Sequence, residues 1–156
     1  MATISFKSVG TKVSENRAPT APVPLPIGVT TPMQLGEGSD GVFRMHRDLG
    51  DQIADNLKNL ILTNHGERLS QYDFGADLTS LVFDYSSNPE WESDAMSNIK
   101  TAVAKFMPFV ELESFETSID TNNDPGIATV AITVTFNVPT ANISNKAIRV
   151  FFEAGG

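Results

Sequence analysis

From Leu49 onward the apolar residues recur every three or four positions: Leu49, Ile53, Leu57, Leu60 and Ile61, with Asp51, Asp55 and Lys58 between them. That spacing places the apolar set on one stripe of an α-helix. Asp48 stands where an N-cap is needed, and the helix is predicted to end near Thr63, where "NHG" supplies the stop. Asp77 is placed to cap a short helix carrying Leu78, Leu81 and Val82. "SSNPEWESDAM" reads as the start of a second long helix: Asn88 caps, Pro89 takes the first helical position, and Glu90 and Glu92 complement the positive end of the dipole. Its apolar face is Trp91, Ala95, Ile99, Ala102, Val103 and Phe106, and Pro108 marks its end.

The period then changes to two. "FVELESFETSI" reads as a strand whose alternation slips near Ser114, and "TNNDPG" as a turn. "IATVAITVTFNV" puts Val130, Ile132, Val134, Phe136 and Val138 on one face and threonines on the other, until Pro139 stops it. "KAIRVFF" gives a last short strand with Ile148, Val150 and Phe152 on one side. The order predicts an α+β domain over residues 48–156, with two to three helices packed on a small antiparallel sheet.

Residues 1–47 differ in kind. They hold five of the nine prolines, all between Pro19 and Pro32. Proline fixes its own φ, lacks a donor and turns the preceding residue away from the α region, so this stretch is predicted to be an extended arm. Val23, Leu25, Ile27 and Val29 lie within it, so it is not a purely solvated linker. Two courses are open to it: along a neighbouring subunit, or as a tail that orders only on binding.

The 156 residues suffice for one domain with a real core, and 40% hydrophobic content is that of a globular protein. With no cysteine, disulfides and thiolate metal sites are excluded. The apolar runs are too short to span a membrane, and the N-terminus lacks a signal-peptide pattern, so synthesis in a host cytoplasm is expected. The net charge is −8. The arm is slightly basic, leaving six basic against sixteen acidic residues beyond it. Basic residues there stand singly, as at Lys100, Lys105 and Lys146, so nucleic acid is not an expected partner.

"NHGERLSQYDFGADLTSLVFD" is the densest ionisable stretch. Glu67, Asp73, Asp77 and Asp84 supply the groups a glycosidase would use, but their spacing specifies no pair, and Arg68 beside Glu67 favours the ionised form, which is wrong for a general acid. His46 and His65 sit in no nucleophile motif and make a poor zinc site. "DTNNDPG" carries oxygen ligands at Asp120, Asn122 and Asp124, but Pro125 stands where a calcium loop needs glycine. "GEGSDG" lacks a Walker lysine. No catalytic, cofactor-binding or metal residue is assigned. The stretch reads instead as a shaped connection, with Gly66 and Gly75 for the turns, Phe74 and the leucines for anchorage, and Glu67 and Arg68 for polar ties.

A helix ending at Thr63, then Gly66-Glu67-Arg68, Phe74-Gly75, Leu78, Leu81 and Phe83, resembles the baseplate wedge and sheath-initiator family of contractile phage tails, which includes a type VI secretion baseplate component. "NIKTAVAKF" before Pro108, followed by strands, continues the resemblance over residues 47–153. Many relatives carry Glu-Pro-Arg where this chain has Met107-Pro108-Phe109, and a proline before Phe-Gly where it has "SQYD". Hydrophobic contact from Met107 and Phe109 is expected to replace the charged one.

The resemblance implies helices against a small sheet and a mechanical role in the virion tail baseplate. Its implied partners are the tail sheath protein, baseplate wedge proteins and tail tube or hub proteins, in an assembly with six copies. It also implies a strand offered to the first sheath ring. The strand expected to do so is Lys146, Ala147, Ile148, Arg149, Val150, Phe151 and Phe152, or its neighbour, with Lys146 and Arg149 discouraging unwanted pairing. The alternatives are a peptidoglycan-cleaving enzyme, for which members have been labelled lysozyme-like, and another non-enzymatic tail adaptor. The residues give the lysozyme label no physical support.

Overall fold

The computed structural model describes residues 24–37, 41–84, 87–124 and 127–155. The chain runs β1 (Gly28–Val29), β2 (Met45–His46), α1 (Leu49–Leu62), α2 (Thr79–Phe83), α3 (Trp91–Phe106), β3 (Glu111–Asp124), β4 (Ile127–Val138) and β5 (Ile143–Gly155), with a 3-10 turn at Pro139–Ala141 before β5.

Asp48 caps α1 through its carboxylate, which accepts the Asp51 N–H at 3.0 Å, and the helix buries Ile53, Leu57, Leu60 and Ile61. Asn88 caps the entry to α3 by accepting the Glu90 N–H at 2.9 Å. Pro89 and Glu90 form a turn outside the helix, which opens at Trp91 rather than at the proline. The short helix departs from expectation. Asp77 does not cap α2: it lies in the left-handed region at φ 50°, and the Thr79 N–H is taken by Asn64 Oδ1 from across the loop.

β4 is the central strand of a three-stranded antiparallel meander, with β3 and β5 on either side. Its predicted inward set, Val130, Ile132, Val134, Phe136 and Val138, is wholly buried. The expected slip in β3 is a register shift between Leu112 and Ser114, so Glu113 is the extra residue of a bulge. β3 runs on through Asp124, into the expected turn, whose tip at residues 125–126 lies outside the described residues. All helices cover one face of the sheet: α1 and α2 pack over β5, and α3 runs along β3. Trp91, Ile99 and Val103 of α3 meet Leu57 and Leu60 of α1 and the β4 row in one core.

Most of the arm, residues 1–23, lies outside the described residues. Its last part lies against its own domain. From Gly28 it pairs as a short antiparallel ladder, Gly28 with His46 and Val29 with Met45, and is tied to its own domain. The anchor is Asp55 on α1, which accepts the Thr31 N–H at 2.8 Å and contacts His46 Nε2 at 2.7 Å. Burial acts to raise the Asp55 pKa, but the Thr31 N–H and the His46 ring outweigh it and hold the carboxylate below its ordinary value. No helix among the described residues is long and apolar enough to cross a membrane.

Candidate functional site

The connection from α1 to α2 is held by a few specific ties. Gly66 sits at φ +88° and donates its N–H to Tyr72 O at 2.7 Å, closing the loop on itself. Gly75, at φ +120°, lies against the end of α1, where a Cβ would stand 2.1 Å from Thr63 O. That approach lets Ala76 donate to Leu60 O at 3.2 Å and Asp77 to Thr63 O at 3.4 Å, so the loop returns along the helix it left.

Asn64 is the hub that sequence reasoning missed. Its N–H and Nδ2 donate to the two oxygens of the Glu67 carboxylate, each at 2.9 Å, and its Oδ1 accepts from Thr79 Oγ1 at 2.7 Å. Glu67 thus straps the start of the loop, and Asn64 carries the strap to α2. Nothing local announces this, because Thr79 is fifteen residues away.

Arg68 makes an aromatic contact as well as a polar one. Its guanidinium lies over the Phe74 ring at 3.8 Å, and Nη1 reaches Gln71 Oε1 at 3.4 Å. Phe74 packs on Phe106 of α3 with ring centroids 4.9 Å apart. Arg68, Phe74 and Phe106 therefore make one stack fastening loop to helix, and the Lys105–Asp73 ion pair fastens it again alongside.

Two of the loop carboxylates are occupied by these ties, Glu67 by Asn64 and Asp73 by Lys105, and Asp77 lies 3.7 Å from His65. Glu67 is held below the ordinary glutamate value by the Asn64 N–H first and its side chain second, not by Arg68. Asp73 is lowered by Lys105. A general acid requires the opposite shift. The cleft between loop and α3, about 180 Å³, is lined by His65, Asp73, Asn98, Thr101 and Lys105 among others. Among the described residues no group of three His, Asp or Glu is placed to hold a metal.

A depressed carboxyl pKa means the tie is complete above the ordinary value and is lost as pH falls through the folded one. The Asn64 amide proton is therefore expected to titrate with Glu67, with a midpoint below 4.5. A midpoint at or above that value in an NMR titration would remove Glu67 as the strap.

Met107, Pro108 and Phe109 separate at the end of α3. Met107 is buried in the core, whereas Pro108 and Phe109 are exposed. Of the three, only Pro108 and Phe109 are accessible at this turn.

Residues 146–152 form the middle of β5, an outer strand. Ile148 and Val150 point into the core, Phe152 is half-buried, and Ala147, Arg149 and Phe151 are exposed on the other face. Lys146 is engaged inside the domain: its Nζ lies 2.6 Å from Asp51 and 3.8 Å from Asp48, pinning β5 to the start of α1. Arg149 lies across the outer face, donating to Ser118 Oγ of β3 at 3.3 Å, with its guanidinium 5.0 Å from the Phe151 ring.

The fold recurs in solved structures. A chain of the cryo-EM structure of the anti-feeding prophage baseplate, six-fold symmetrised, aligns with TM-score 0.56 and 14% identity over 70% of this chain and 82% of that one. A crystal structure from Geobacter sulfurreducens, of a protein described as a candidate tail lysozyme, aligns with TM-score 0.53 and 21% identity over 71% of this chain and 94% of that one. At these identities the likeness is one of fold. No curated protein matches the chain. The model of the family described as baseplate wedge protein gp25 matches residues 47–142, from the end of β2 to the 3-10 turn, so the loop, both long helices and the β3–β4 hairpin are the family's own, and the chain belongs to it.

Proposed function

We propose that the protein is a non-catalytic component of a contractile-tail baseplate that links wedge and tube to the first sheath ring. It primes sheath polymerisation by pairing a sheath strand with β5. The observation that carries this reading is the outer side of β5 along residues 146–152, which has no partner strand among the described residues and presents backbone N–H and C=O groups to an incoming strand. The partners are the tail sheath protein, wedge proteins and tube or hub proteins. Wedge contact is assigned to the exposed turn at Pro108 and Phe109. Six copies per baseplate is supported by the six-fold symmetry of the anti-feeding prophage structure.

A lysozyme-like reading draws on the description of the Geobacter protein alone. Against it stand Glu67 and Asp73, each spent on a structural tie.

The test places lysines where nature blunts strand edges. Ala147→Lys with Phe151→Lys changes two exposed side chains of β5 and leaves the core row intact. Baseplates carrying the variant are expected to form but to nucleate little sheath, visible by electron microscopy. Sheath of normal length and number would sink the strand-pairing mechanism. Cell-wall hydrolysis by the purified protein, lost in Glu67→Gln, would establish the enzymatic reading instead.

A further inference from the structure

The two outer strands of the sheet are not equivalent. On the helix side β5 turns in Ile148 and Val150, and α1 and α2 bury both. β3 turns in Leu112, Phe115, Thr117 and Ile119, and none of the four is buried; Ile119 is 42% exposed. Between α3 and the start of β3 a groove of about 120 Å³ stays open, where Met96, Ile99, Leu112 and Phe115 meet the charged Lys100 and Glu113. The apolar layer is thus more nearly closed at the β5 margin, where Phe152 stays half-buried, than at the β3 margin, where none of the four inward residues is buried.

The opposite face of β3 is acidic. Glu111 and Glu116 are exposed there, and Arg149 of β5 reaches across to Ser118 between the acidic positions 116 and 120. From Ser114 to Asp120 the strand holds unbroken register with β4, while its outer side has no partner strand among the described residues. The bulge before Ser114 and the second register shift after Asp120 bound this run.

We infer that the outer edge of β3 accepts an extended segment of a partner protein in which apolar residues alternate with lysine or arginine. This deepens the assembly role proposed above by adding a second partner segment, of defined chemistry, at the margin away from β5. A strand added to an edge takes its affinity from main-chain hydrogen bonds and its specificity from side chains of alternating parity. One parity falls on the helix side, where apolar side chains extend the Leu112–Phe115–Ile119 row and fill the groove. The other falls beside Glu111 and Glu116, where cations form favourable cross-strand pairs and carboxylates repel. On the helix side Lys100 and Glu113 both line the groove, and Glu92 of α3 accepts from Thr117 further along, so it is the apolar row rather than charge that sets which parity faces the helices. A chain with net charge −8 also draws a basic segment toward itself before contact.

The probe is a capped nonapeptide of alternating valine and lysine, with its valine–glutamate counterpart as control, added to the full-length isotope-labelled protein. The lysine peptide is expected to protect amides within residues 114–120 from hydrogen exchange. Its affinity should fall as salt is raised and should drop about tenfold in Glu111→Lys with Glu116→Lys. Equal binding of both peptides, protection confined to residues 146–152, an unaffected double variant, or no binding would each overturn the inference. Because the assay needs no baseplate, its failure leaves the β5 reading to the sheath experiment, and failure of that experiment leaves the β3 edge standing.

Discussion

Gly75→Ala should destabilise the domain by about 3 kcal/mol or more, through backbone strain and a clash with no soft partner. The residue sits at φ +120°, and its added Cβ would lie 2.1 Å from Thr63 O and 2.8 Å from Thr63 C. Both are main-chain atoms at the end of α1, so no side chain can rotate away. The loop would have to lift, losing the Ala76–Leu60 and Asp77–Thr63 hydrogen bonds and loosening Phe74 from Phe106. Gly66 is the internal comparison: at φ +88°, with nothing within 4 Å of a Cβ, it meets conformational strain alone. Gly66→Ala should cost about 1 kcal/mol. Urea denaturation of the two variants separates close approach from dihedral strain. Equal costs would mean that contact with Thr63 is not what demands a glycine at 75.

The second large effect lies in the sheet. Phe136→Ala should cost about 3–5 kcal/mol, the range for removing a buried phenylalanine and leaving a cavity. Phe136 is fully buried in the middle strand, pairs with Leu112 on one side and Lys146 on the other, and has packed elements around it that restrict collapse. Against a total stability of about 5–15 kcal/mol, such a loss leaves some variants unfolded at assay temperature. A thermal midpoint within a few degrees of the wild type would show that the core relaxes around the deletion.

What the sequence disclosed and what it withheld follow a physical division. β4 was legible because a half-buried strand must alternate, and its alternation is unbroken from Val130 to Val138. α1 and α3 were legible because their buried stripes recur at helical period. The bulge was legible as a slip near Ser114, though its extra residue, Glu113, needed the partner strand to identify. The site was less open to reading. Glycines at 66 and 75 announced unusual backbone, and both have positive φ. The long-range polar ties could not be read, because they join residues distant in sequence: Asn64 to Thr79, Asp73 to Lys105, Asp55 to Thr31. Arg68 reaches an oxygen, that of Gln71, but its aromatic partner was not legible, since Phe74 returns to it only once the loop has closed. Met107 looked like surface because the turn after α3 hides which of its residues faces inward.

β4 is bonded to both neighbours along nearly all of its length. A tension applied lengthwise to one outer strand and resisted at the other therefore crosses β4 as shear. Shear strains all the ladder bonds together, whereas a pull at right angles would open them one after another. Forced separation depends on the rate of unfolding rather than on equilibrium stability. A small domain of ordinary stability therefore transmits a sudden stroke far better along its strands than across them, and the direction in which its neighbours pull matters more than how tightly they hold.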